Sequence, residues 1–160
     1  MTKRKKIRFD SLTKSELSKF NNAEIQGWVI DQFCQMEWRI NNIIMDYFKP
    51  ENKRIFETVV LNSSVMNIGG KLKILSNIGI NKTTIEKIRK LSSIRNGFAH
   101  TRIGEAVSIS ISKDLENVEK VESESIMNVM NSQGKIIPNS AYEHVSNFLV
   151  LRNELREELK

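Results

Sequence analysis

Apolar positions recur every three or four residues from about residue 11 to residue 103, which predicts a mainly helical chain. "DSLTKSELSKF" offers Ser11 or Thr13 as a cap with Glu16 just inside, so a short first helix is expected. "NAEIQGWVIDQFCQMEWRINNIIMDYFKP" reads as a long amphipathic helix capped by Asn22 and stopped by Pro50. Its seam runs through Ile25, Val29, Phe33, Met36, Ile40, Ile43 and Tyr47 and suits a helix partner. Trp28 and Trp38 sit beside the seam as packing residues, and Cys34 reads as an inert buried thiol. A third helix is expected in "ENKRIFETVVLNSS", and a short one around "KLKILSNI", bounded by Gly69-Gly70 and Gly79. The next begins near Asn81 to Thr83 and carries Ile85, Ile88, Leu91, Ile94 and Phe98 toward the core. Gly97 weakens its last turn and Gly104 ends it.

Beyond Gly104 the period changes to two. In "AVSISIS" Val107, Ile109 and Ile111 alternate with serines, the pattern of a half-buried strand. "KDLENVEKVESES" reads as a charged loop or surface segment, and "IMNVMNSQGKIIP" as a hairpin turning at "NSQG" and ended by Pro138. The closing helix has Ser140 as cap and Glu143 in the capping-box position. Tyr142, Val145, Phe148, Leu149, Leu151 and Leu155 form its buried side. The expected plan is a helical bundle with a small β insertion, about residues 105–138, before its last helix. A basic arm over residues 1–10 precedes one domain spanning 11–160.

Charge refines this plan at one end only. The net charge is +6, but Lys3, Arg4, Lys5, Lys6 and Arg8 supply five of the cations, so the rest of the chain is near neutral. Such an arm suits nucleic-acid phosphates; the plainer reading is a frayed terminus. With 160 residues, 39% of them hydrophobic and 28% charged, the chain can bury a single core. One cysteine excludes an intramolecular disulfide. Neither a secretory h-region nor an apolar run of membrane-spanning length is visible, so a cytoplasmic protein without a membrane partner is expected.

Little conventional site chemistry is on offer. Three cysteine and histidine candidates without short spacing do not make a structural zinc site, and Gly69-Gly70 lacks the context of a phosphate-binding loop. A Cys34–His100 nucleophilic pair is disfavoured by the seam position of the cysteine. His144, in "SAYEHVSNF", reads as a surface or packing histidine. "KIRKLSSIRNGFAHTRIG" is different, because it sets Arg95, Asn96 and His100 at the end of an amphipathic helix. Asn96 and His100 are four apart and share a face, with Arg95 flanking it and the apolar stripe directed elsewhere. A cation, an amide and a group titrating near neutrality are what a phosphodiester requires. From the residues alone the simpler reading is that His100 caps the helix C-terminus and Arg95 joins a surface ion pair.

"IRNGFAH" also resembles the arginine-x4-histidine motif of the HEPN superfamily, in the version where a polar residue, here Asn96, follows the arginine. The order of long helix, motif helix, β segment and closing helix is similar to the mannitol-repressor-like branch. The likeness spans most of residues 20–160 as a pattern, around a specific core of only about seven residues. It implies a four- to five-helix HEPN-like bundle that forms a homodimer with the two motifs facing across a cleft. It further implies a metal-independent endoribonuclease without cofactor: a toxin or antiphage-defence effector that cuts RNA to 2′,3′-cyclic phosphate and 5′-hydroxyl ends, with an antitoxin or defence-system protein as a candidate partner. The alternative is a non-catalytic regulator or interaction module of the same shape. His100 would be the acid/base, Arg95 would hold the scissile phosphate, and Asn96 would orient either one. Glu37, on the earlier long helix, is the expected support for Arg95. Lys3, Arg4, Lys5, Lys6 and Arg102 are the expected further RNA contacts. Arg102 occupies the position where one branch carries a modifiable tyrosine, so that mode of regulation is not expected.

Overall fold

The computed structural model describes residues 13–17, 19–111, 118–130 and 135–159. The basic arm expected over residues 1–10 lies outside the described residues, as does the turn expected at "NSQG", residues 131–134. The elements run α1 (Lys14–Leu17), α2 (Asn22–Phe48), α3 (Lys53–Ile55), a π-helical turn (Phe56–Val60), α4 (Ile68–Asn77) and α5 (Lys82–His100). Strands β1 (Ile103–Ile111), β2 (Val118–Met130) and β3 (Ile136–Ser140) follow, and α6 (Ala141–Glu158) closes the chain. The protein is thus mainly helical, with a small antiparallel sheet of order β1-β2-β3 before its last helix.

Local chemistry sets most boundaries. Thr13 and Glu16 close a reciprocal cap on α1, with both the Thr13 amide and its hydroxyl donating to Glu16 Oε2 at 2.9 Å. On α2 the cap is Asn21, one residue before the expected Asn22: Asn21 Oδ1 accepts from the Glu24 amide, and Glu24 Oε2 accepts from the Asn21 amide, both at 2.9 Å. Asn22 instead donates from Nδ2 to the Ile103 carbonyl at 3.1 Å. Lys49 ends α2 in a left-handed conformation, φ 47°, just before Pro50. α3 is shorter than the expected helix, a single α turn that widens into the π turn, where Thr58 Oγ1 donates back to the Arg54 carbonyl at 2.8 Å. Gly79, with φ 93°, turns the chain from α4 into the Asn81 cap of α5.

Val29, Phe33, Met36, Ile40 and Ile44 of α2 meet Leu75 of α4, Ile88, Leu91 and Phe98 of α5, and Val145, Phe148 and Leu155 of α6 in one core. Each such side chain stabilises the fold by about 1.5–3 kcal/mol before entropy is counted. The α2 seam departs from expectation at its end, where Ile44 and Met45 are buried while Tyr47 is exposed. Trp28 packs edge-on against Phe148, but Trp38 is 58% exposed. Cys34 is exposed as well, because it stands about 100° around the helix from Phe33 and faces outward.

The sheet contributes two residues to the core. Ile103 and Met127 pair across β1 and β2, and both are buried in the core. Further along β1, Val107 is exposed rather than half-buried. The stretch expected to be a charged loop is largely β2: its backbone pairs with β1 from Val118 onward. α5 stops at His100 and Gly104 already lies in β1, so the expected helix end was four residues too late. Pro138 does not end β3 but sits within it opposite Asn128; β3 is an edge strand, where a missing N–H is tolerated. Ser140 then caps α6, accepting from the Glu143 amide at 3.4 Å while its hydroxyl donates to Glu124 at 2.7 Å. Among the described residues no helix is long and apolar enough to cross a membrane.

Candidate functional site

α5 delivers the motif residues to different surroundings. Arg95 follows Ile88 by seven residues and Leu91 by four, so it continues the core-facing stripe instead of flanking the outer face. Its guanidinium lies over the Phe33 ring of α2, 4.6 Å from the centroid. Nε is buried and has no hydrogen-bond partner, an arrangement that costs about 1–3 kcal/mol unless a ligand or water completes it. No carboxylate among the described residues pairs with this cation. The side chain is therefore positioned by stacking and keeps its charge uncompensated.

Asn96 and His100 behave as their spacing predicts, sharing the exposed side of the last turns of α5. Arg95 and His100, five residues apart, point about 140° away from each other around the helix axis, so one copy of the helix does not bring all three groups together. His100 opens onto a shallow groove between the end of α5 and the start of α2, lined also by Ala23, Gln26, Ala99 and Arg102. Gln26 fixes one wall by donating from Nε2 to the Thr101 carbonyl at 2.9 Å. Arg102 is exposed there, and its side chain adds positive charge beside His100. Lys3, Arg4, Lys5 and Lys6 lie outside the described residues.

Glu37 does not support Arg95. Its Oε1 accepts from Lys71 Nζ at 2.6 Å and from Ser63 Oγ at 3.0 Å. The reason is burial: Lys71 has no exposed surface, and an ammonium in that position needs an anion far more than the stacked guanidinium does. Lys71 and Phe33 are the residues that sequence reasoning missed. Phe33 was legible only as one more seam residue, and nothing in "GGKLKIL" set Lys71 apart.

His144 of α6 packs edge-on against Phe98 of α5, ring centroids 6.5 Å apart. Burial lowers its pKa, partly opposed by the neighbouring Glu143 charge. Among the described residues no group of three histidine, cysteine or carboxylate side chains gathers closely enough to hold a metal ion. What the arrangement offers chemically is an uncompensated guanidinium, an exposed imidazole with an amide on the same face, and an open groove. Comparison of the chain with protein-family models, with curated proteins and with solved structures finds no match.

Proposed function

We propose that the chain is a metal-independent endoribonuclease of HEPN type, acting as a homodimer and serving as a toxin or antiphage-defence effector. The observation that carries this reading is Arg95: its uncompensated guanidinium is held on Phe33 with a buried, unbonded Nε, at the helix end that exposes Asn96 and His100. Arg95 holds the phosphate and stabilises its developing charge. His100 takes the proton of the 2′-hydroxyl as that oxygen bonds to phosphorus. The P–O5′ bond breaks, the 5′-oxygen is protonated, and a 2′,3′-cyclic phosphate remains. Asn96 orients the imidazole or a phosphate oxygen. Because Arg95 and His100 leave α5 on different sides, the working cleft takes its arginine from one copy and its histidine from the other.

The test is His100→Ala in the full-length protein. RNA cleavage should fall at least about 100-fold, the low end of what a positioned acid/base contributes, while the circular dichroism spectrum and thermal midpoint stay unchanged because this imidazole is exposed. Wild-type protein that leaves cellular RNA intact defeats the reading. A second reading, a non-catalytic module using the same face for binding, is favoured by one observation. No described residue hydrogen-bonds the His100 side chain, so nothing in a single copy fixes its tautomer. On that reading His100→Ala weakens partner binding and no cleavage is ever seen.

A further inference from the structure

A cavity of about 380 Å3 lies between the start of α2 and the sheet, and the chemistry proposed above makes no use of it. Its volume falls in the range of small-ligand sites, about 300–1,000 Å3. Leu17, Phe20 and the Tyr142 ring give it an apolar side, and Glu105, Ser123 and Ser125 a polar one. The strand register explains the polar side. Glu105 pairs with Ser125 and Val107 with Ser123, two and four residues along from the buried Ile103–Met127 pair. With a period of two, Glu105, Ser125 and Ser123 stand on the face of the sheet that enters the core at Ile103 and Met127.

These polar groups are not consumed by the fold. Among the described residues none hydrogen-bonds or ion-pairs with Glu105, Ser123, Ser125 or the Tyr142 hydroxyl. The remaining polar lining is engaged: Asn21 caps α2, Asn22 donates to the Ile103 carbonyl at 3.1 Å, and Glu124 accepts from Ser140 at 2.7 Å. No cation among the described residues lines the space, so it does not suit a phosphate. A carboxylate and hydroxyls facing aromatic rings suit a planar group with N–H donors on its edge. Among the four RNA bases, guanine alone sets two donors, N1–H and N2–H2, side by side on its Watson–Crick edge. That pair matches the two oxygens of one carboxylate, and a serine hydroxyl can then serve O6. Asn22 lines this cavity and the His100 groove alike, so the two are neighbours. A strand with its backbone in the groove can turn one base into the cavity.

We propose that this cavity receives one unstacked guanine of a single-stranded RNA held in the His100 groove, with Glu105 as the residue that selects it. The inference rests on the reading of that groove as an RNA site. Its test uses the wild-type, full-length protein and 2′-O-methyl RNA hexamers, which lack the attacking hydroxyl and so stay intact. Hexauridylate with one central guanosine should bind at least about tenfold more tightly than plain hexauridylate, because hydrogen bonds to a charged group are gained. Inosine in that place, which lacks only the 2-amino group, should fall between the two. Glu105→Gln should erase the difference between the hexamers, and its thermal midpoint should stay that of wild type because Glu105 is exposed. Equal affinity of the hexamers for wild type, or a guanine preference that survives Glu105→Gln, overturns the proposal. Guanosine 5′-monophosphate binding as tightly as the guanosine hexamer assigns the cavity to a free nucleotide and also overturns it. Cleavage is read separately: cuts in cellular RNA should lie at a fixed offset from guanine, and Glu105→Gln should lose that preference. Cuts without base preference sink this inference and leave the ribonuclease reading standing. Intact cellular RNA together with guanine-selective binding does the reverse.

Discussion

Lys71 has no solvent-exposed surface, and Glu37 answers it at 2.6 Å. The pair joins the middle of α2 to α4, and Ser63 adds a hydroxyl from the intervening segment. Removing one partner leaves an isolated buried charge, whereas removing both leaves an apolar contact. Lys71→Met should therefore cost about 3–5 kcal/mol in urea unfolding, and Glu37→Leu added to it should recover much of that loss. A single variant as stable as wild type would show that the pair contributes nothing. Arg95 teaches a related lesson about reading residues. Its position in the Ile88–Leu91 register was visible in the sequence, and it places the arginine against the core. The motif drew attention to its chemical neighbours instead, and the neighbours on the helix surface turned out to be different ones.

The contact between α5 and α6 is where single groups add up to an element-scale property. Phe98 meets His144 near one end, and at the other Lys87 pairs with Glu154 and Glu158 while Thr84 Oγ1 donates to Glu158 at 2.7 Å. Burial lowers the His144 pKa, so the unfolded chain takes up that proton more readily than the folded one. Stability is thus highest above the ordinary histidine value of about 6.5 and falls as pH drops through it toward the lowered folded value. The bond from Lys87, with the Thr84 hydroxyl second, lowers the Glu158 pKa. That contribution is present above the ordinary glutamate value near 4.5 and fades as pH falls below it. Thermal midpoints measured from pH 8 to pH 5 should decline, and His144→Leu should flatten this decline. An unaltered slope in that variant would remove His144 from the account.

The helices that build this contact were legible because each has a cap and an uninterrupted stripe: Asn81 with Ile85, Ile88 and Leu91; Ser140 with Val145, Phe148 and Leu149. β2 was not. In the "VESES" region its backbone pairs with β1 while its side chains are charged groups and serines, so no hydrophobic alternation marked it. Helix ends slipped for a similar reason, since Gly104 fits a strand as readily as a helix stop.

At the scale of the whole molecule, the divergence of Arg95 and His100 makes a single copy incomplete for the proposed chemistry. If one copy supplies the arginine and the other the histidine, two inactive variants can complement each other. Arg95→Ala and His100→Ala proteins, each silent alone, should regain roughly a quarter of wild-type cleavage when unfolded and refolded together in equal amounts. That expectation follows from random pairing, because half the dimers are mixed and each mixed dimer holds one intact combination. No recovery, in preparations shown by sedimentation to contain mixed dimers, would place both groups in one copy or neither in a shared cleft.

Cys34 gives this question a direct readout. It is the chain's one thiol, it is exposed, and it stands four residues from both Ile30 and Trp38, which are exposed on the same side of α2. The outer face of the longest helix thus carries a natural labelling handle that needs no engineered cysteine and has no competing site. Maleimide reacts there at the rate of an open thiol while the face is bare, and more slowly once a second copy or another macromolecule covers it. A dilution series of that rate turns association along α2 into a chemical clock.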